Sequence, residues 1–237
     1  GAGDSINAGD ILVRHRHTEW NQDRWYVVKR LLDLLPEETK HQRVELLLAE
    51  VFSFFEQFRL LDMIPILEQV ETELLEEDLE PALKGEIAFY RAYILIYLKG
   101  DAKNALKNLQ KAKSLIPESH KLIKAEIELY LSMAKQMTGD GESAIKLLEE
   151  DISTLDKNEK IMQTRLLAAL IFLNLLCCDL EPATIAAEKL ILFSEQNKLS
   201  YADVFAHYAL ANANLHSFDL ESSLKEFSLA FEKMEIV

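Results

Sequence analysis

The stretch GDAKNALKNLQKAKSLIP, residues 100–117, decides how the rest of the chain is read. It opens on Gly100-Asp101, a turn residue followed by a residue whose carboxylate can cap a helix, and it stops at Pro117, which cannot continue one. Between these signals Ala105 and Ala112 stand four and eleven residues after Asp101. Small residues at that spacing share a helix face and let a second helix approach closely. The segment therefore predicts one helix of a close-packed helix hairpin.

The same junction recurs outward in both directions as Phe58-Arg59, Gly139-Asp140, Cys178-Asp179 and Phe218-Asp219, with a weaker Trp20-Asn21 at the start. Counting the second residue of each pair gives positions 21, 59, 101, 140, 179 and 219, hence intervals of 38, 42, 39, 39 and 40. Four residues on, the slot holds Trp25, Met63, Ala105, Ala144, Ala183 and Ser223, small in the last four. A helix precedes each junction, predicted near 85–99, 121–137, 163–177 and 202–216. Loops such as Ile116-Pro117-Glu118-Ser119 and Asp156-Lys157-Asn158 separate the units. Units that cannot bury their apolar faces alone must stack. The expectation is an all-α right-handed superhelix, a solenoid of about six degenerate tetratricopeptide-like hairpins with a period near 39. It covers residues 20–237, after an N-terminal flank at 1–19 that is either poorly ordered or the end of a preceding helix.

Composition agrees. Only 7 Gly and 5 Pro interrupt 237 residues, and no 18-residue apolar run could span a membrane. The net charge of −14 opposes a grip on a phosphate backbone, which needs clustered Lys and Arg. Glu71, Glu73, Glu76, Glu77, Asp78 and Glu80 read as a solvated helix end and loop. Adjacent Cys177 and Cys178 diverge on a helix, so reduced, mostly buried thiols and a cytoplasmic setting are expected. A chain that starts at Gly1 and ends within a helical pattern reads as a piece of a longer protein.

Residues 100–117 resemble the second half of a tetratricopeptide repeat, with its Ala, Ala, Pro spacing, although the period here is longer. WYVVKRLLDLLPEE, residues 25–38, and GEIAFYRAYILIYLKGDAKNALKNLQKAKSLIPE, residues 85–118, resemble the sensor repeats of the MalT-type, ATP-dependent LuxR family of bacterial transcriptional regulators. The resemblance implies a ligand- or partner-binding sensor and oligomerisation module. A small-molecule inducer or a regulatory protein or peptide would be its partner. No cofactor is implied in this segment, ATP belonging to an N-terminal module outside it. The sequence has no GxxxxGK[ST] loop and no basic recognition helix, so neither phosphate nor DNA chemistry is expected here. The alternative is a general scaffold holding a peptide or helix of a partner protein.

Catalytic constellations are lacking. His15 and His17 read as a solvated basic end, His207 and His216 are nine apart rather than at ligand spacing, and Gly139-Asp140-Gly141 reads as an interhelical turn. No metal set and no catalytic residue are expected. The first helices of a tetratricopeptide stack line its concave face. By register that face carries Phe52, Phe55, Tyr90, Tyr97, Met133, Gln136, Arg165, Phe172, Tyr208 and Asn212, with Tyr90 and Tyr97 two turns apart on one face. Aromatic faces with a few polar ends suit a small metabolite or short peptide.

Overall fold

The computed structural model describes residues 2–73, 79–156 and 158–234. Among them the chain forms thirteen α-helices and no strand. The helices are α1 (Ala2–Trp20), α2 (Trp25–Leu32), α3 (Glu37–His41), α4 (Val44–Glu56), α5 (Leu60–Glu73), α6 (Pro81–Ile94), α7 (Ala102–Leu115) and α8 (Lys121–Met137). They continue as α9 (Gly141–Thr154), α10 (Lys160–Leu176), α11 (Leu180–Asn197), α12 (Ser200–His216) and α13 (Leu220–Met234). The fold is all-α and tetratricopeptide-like. Two compact units divide it, Gly1–Ile127 and Glu128–Val237. The flank before residue 20 is the long helix α1.

One backbone device makes each hairpin. Phe58, Gly100, Gly139, Cys178 and Phe218 all have φ between 55° and 90°, the left-handed conformation that ends a helix. The next amide closes each end: Arg59 N–H donates to Phe54 O at 2.9 Å, Asp140 to Lys135 O at 2.9 Å, Asp179 to Asn174 O at 2.9 Å and Asp219 to Asn214 O at 2.9 Å. This is the Schellman closure, and it puts the repeat's signal in the backbone rather than in one residue type.

The first junction is displaced from the sequence reading. Asp23, at φ 58°, is the left-handed residue, and Arg24 N–H donates to Glu19 O at 3.0 Å. Trp20 and Asn21 are still the end of α1 and its cap. The slot four residues beyond Arg24 is then Val28, which is fully buried, whereas Trp25 is only half-buried. Met63, Ala105, Ala144, Ala183 and Ser223 are buried as the spacing requires. The long second interval, 59 to 101, includes one local irregularity. Residues Leu95–Lys99 wind as one π turn, so Asp101 N–H reaches back to Leu95 O, one residue farther than at the other junctions.

In Gly1–Ile127 the core is aromatic. Trp20 lies against Phe52 with ring centroids 4.1 Å apart, Phe52 against Phe55 at 5.6 Å, and Phe55 against Phe89 at 5.3 Å and Tyr93 at 4.7 Å. In Glu128–Val237 the core is smaller and Ala-rich. Ala144, Leu148, Leu166, Ala169 and Leu173 join α9 to α10, and Ala186, Ala187, Leu190, Ala202, Ala206 and Ala209 join α11 to α12. Small side chains there bring the helix axes close, as ridge-in-groove packing allows.

Two surface expectations change. Cys177 and Cys178 are exposed, because α10 ends at Leu176 and both thiols fall on the turn. In the acidic segment Glu71 pairs with Arg91, while residues 76–78 and the side chain of Glu73 lie outside the described set, as does Lys157.

Candidate functional site

Eight of the ten register-derived groove positions are buried or half-buried. Phe52, Phe55 and Tyr90 are core residues of the aromatic stack, which corrects their assignment to a ligand-facing strip. Met133 and Arg165 are also buried, and Gln136, Phe172 and Asn212 are half-buried. Only Tyr97 and Tyr208 are open, at 39% and 53% exposure. Tyr90 and Tyr97 part company: Tyr90 is in the core of α6, whereas Tyr97 lies on the π turn, exposed, with its ring 6.2 Å from that of Phe58. Two polar groove positions have protein partners: Gln136 Nε2 donates to Cys177 Sγ at 3.1 Å, and Asn212 Nδ2 to Tyr208 O at 2.8 Å.

A polar centre lies elsewhere in Gly1–Ile127. Arg16 on α1 forks onto Glu86 of α6, Nη2 to Oε1 at 2.6 Å and Nη1 to Oε2 at 2.9 Å, with both side chains buried. Arg16 Nη1 also donates to Glu45 O at 3.2 Å, and its guanidinium sits 5.1 Å over the Trp20 ring. His17 Nε2 lies 3.2 Å from Glu86 Oε1, close in distance but without hydrogen-bond direction. The His17 ring stacks on His120 with centroids 3.4 Å apart and planes 12° apart, and meets Trp20 edge-on at 4.9 Å. His17 is therefore not the solvated end that its spacing from His15 suggested. Sequence gave no warning, since Arg16 and Glu86 are 70 residues apart.

Asn21 clamps the loop that delivers His120. Its Nδ2 donates to Ser119 O at 2.7 Å, and its Oδ1 accepts from Leu122 N–H at 3.0 Å. Burial drives the electrostatics. Burial raises the Glu86 carboxyl, but Arg16 and His17 outweigh it and hold the group at about 2. His17 is lowered by burial, and His120 falls to about 4 through burial and the neighbouring His17. Tyr90 is pushed well up by burial and then by the Glu86 charge. The centre is a buried ion pair with two stacked imidazoles beside it. The ring nitrogens of His17, Nδ1 of His120 and the Tyr90 hydroxyl are buried without hydrogen-bond partners.

In Glu128–Val237 the exposed feature is the apolar face of α13. Counting from each junction Asp, position eight is Leu148 in α9, Ala187 in α11 and half-buried Phe227 in α13. Positions five and twelve are half-buried in α9 (Ile145 and Ile152) and in α11 (Thr184 and Ile191), where the first helix of the following hairpin packs nearby. In α13 they are Leu224 and Phe231, 69% and 67% exposed. Tyr208 of α12 extends the strip, its ring 5.8 Å from Phe227.

Concavities of the small-ligand type are poor by comparison. A crevice of about 290 Å³ by Lys29, Lys40, Glu50 and Phe54 is lined by charges that already pair, Lys29 with Asp33 at 2.6 Å and Lys40 with Glu37 at 2.6 Å.

No family model matches the sequence, and no curated protein matches it. Among solved structures the chain is similar to the crystal structure of the apo form of RapI, at 14% identity and a TM-score of 0.49. The similarity covers 98% of this chain and 65% of that one, so the chain spans less than two thirds of that structure's length.

Proposed function

We propose that the chain is a non-catalytic binding module that seats an amphipathic helix, supplied by a partner protein or by its own chain, on the exposed face of α13. The contrast within Glu128–Val237 carries this reading: Leu224 and Phe231 are bare at the register positions that α9 and α11 cover with a following helix. The covering helices describe the occupant. They present Leu166, Ala169 and Leu173 of α10, and Ala202, Ala206 and Ala209 of α12, apolar positions at i, i+3 or i+4, and i+7. A partner helix with the same stripe would seat between the Leu224 and Phe231 side chains.

A metabolite is the less supported partner, because ligand pockets are mostly apolar with few polar groups, and the crevice beside Lys40 is lined by paired charges. The resemblance of residues 25–38 and 85–118 to LuxR-type sensor repeats supports a cytoplasmic transcriptional regulator as the setting, with ATP and DNA chemistry on other modules.

The test uses a fluorescent synthetic peptide of residues 200–216, the helix that covers α11, titrated with the purified chain. Saturable binding is expected, and Leu224→Glu with Phe231→Glu should weaken it at least ~30-fold, the loss of a hot spot worth about 2 kcal/mol. Absence of saturable binding, or indifference to the double substitution in a folded variant, would sink the proposal.

A further inference from the structure

We propose that His17, Glu86 and His120 bind a late first-row divalent cation of the Zn²⁺ type. Their ligand atoms all lie within 4.8 Å of one another, on α1, on α6 and in the turn before α8. Two imidazoles and one carboxylate form a donor set that suits Zn²⁺, Co²⁺ or Ni²⁺ rather than Mg²⁺ or Ca²⁺, which prefer all-oxygen sites. The buried Nδ1 atoms of His17 and His120, each without a hydrogen-bond partner, supply the independent observation. Buried polar atoms almost always have partners, and an ion is one of the few things that explains an exception.

The surroundings are those of a supported site. Asn21 grips the backbone on both sides of His120, at Ser119 and Leu122, and so fixes where that imidazole stands. Arg16 need not be expelled. If Glu86 Oε1, the oxygen nearer His17, turns to the metal, Oε2 keeps its 2.9 Å bond from Arg16 Nη1, and the guanidinium becomes the outer partner that orients the ligand. Tetrahedral donors at metal distances of about 2.1 Å stand about 3.4 Å apart, so His17 and Glu86, at 3.2 Å, already have that spacing and His120 must close by up to about 1.4 Å. Stacked rings aim their lone pairs along parallel lines. Binding therefore turns the half-exposed His120 ring out of the stack, on the side open to solvent, where water completes the coordination.

Exposed Cys177 and Cys178 could hold zinc on their own, so the test is made in a Cys177→Ser, Cys178→Ser background. Calorimetric titration with Zn²⁺ and visible absorption with Co²⁺ should show one site per chain and a four-coordinate nitrogen–oxygen spectrum. His17→Ala and His120→Ala should each weaken Zn²⁺ by more than the ~10–100-fold usual for outer-shell changes. Zinc should also raise Tm in the background protein and not in His120→Ala. His120 is at the surface end of the centre, so that variant is expected to fold, which circular dichroism verifies. No heat and no Co²⁺ bands in the background protein overturn the site. Binding undiminished in both histidine variants overturns it equally.

Discussion

At the scale of single residues, Arg16 and Glu86 show how much a buried charge depends on its partner. Glu86→Gln leaves the guanidinium of Arg16 in a buried place without its counter-charge, and should cost about 3–5 kcal/mol. Replacing both with apolar residues of similar volume should recover most of that loss, because the paired charges had already given up their hydration. Thermal denaturation of the single and double variants checks this. Tyr90 offers the opposite case. Its ring is fully buried among Phe55 and Phe89, but its hydroxyl has no hydrogen-bond partner. Tyr90→Phe removes an unsatisfied polar group worth ~1–3 kcal/mol when buried, and should leave Tm unchanged or raise it. Tyr90→Ala empties the core and should cost ~3–5 kcal/mol, measured by urea unfolding.

At the scale of the element, the helix hairpin is set by the left-handed residue that ends its first helix. Gly fills that place at positions 100 and 139, where no side chain opposes the conformation, but Phe58 and Phe218 fill it elsewhere. An L-residue there is strained by about 1–2 kcal/mol relative to glycine. Phe218 is 89% exposed and has little packing to lose, so Phe218→Gly should stabilise the chain by about 1 kcal/mol. Phe58 contacts Tyr93 and Tyr97, so Phe58→Gly should gain less or nothing. Comparing the two Tm shifts separates backbone strain from packing. The same element logic bears on the proposed helix site: α13 repeats the hairpin's second helix, and its positions five and twelve, Leu224 and Phe231, are exposed apolar residues.

At the scale of the whole molecule, charge and helix content govern behaviour. A net charge of −14 on 237 residues repels itself, and salt screens that repulsion. Raising ionic strength from a few millimolar to the physiological range should raise Tm by ~2–4 °C, the shift that about 1 kcal/mol produces in a chain of this size. A Tm that falls with salt would mean that attractive pairs outweigh the repulsion. The same charge, with no phosphate-binding loop in the sequence, leads us to expect no binding of duplex DNA at physiological salt, which a mobility-shift titration checks.

The period near 39, the small residue four places after the last four junctions and the helix stop at Pro117 were legible in the chain, because they report local backbone geometry and nearest-neighbour packing. The first junction slipped by three residues since Asp23 and Arg24 carry no distinctive turn composition, and the left-handed φ, not the residue type, defines the motif. The groove was read wrongly for a related reason. Helical spacing marks an apolar face, as at Phe52, Phe55 and Tyr90, and does not tell whether a neighbouring helix covers it. The helices and their repeat were thus determined by the sequence alone. Only the tertiary structure could decide that His17, Glu86 and His120 meet, because contacts between distant parts of a chain depend on how helices pack, and a local pattern does not encode which distant side chain arrives opposite.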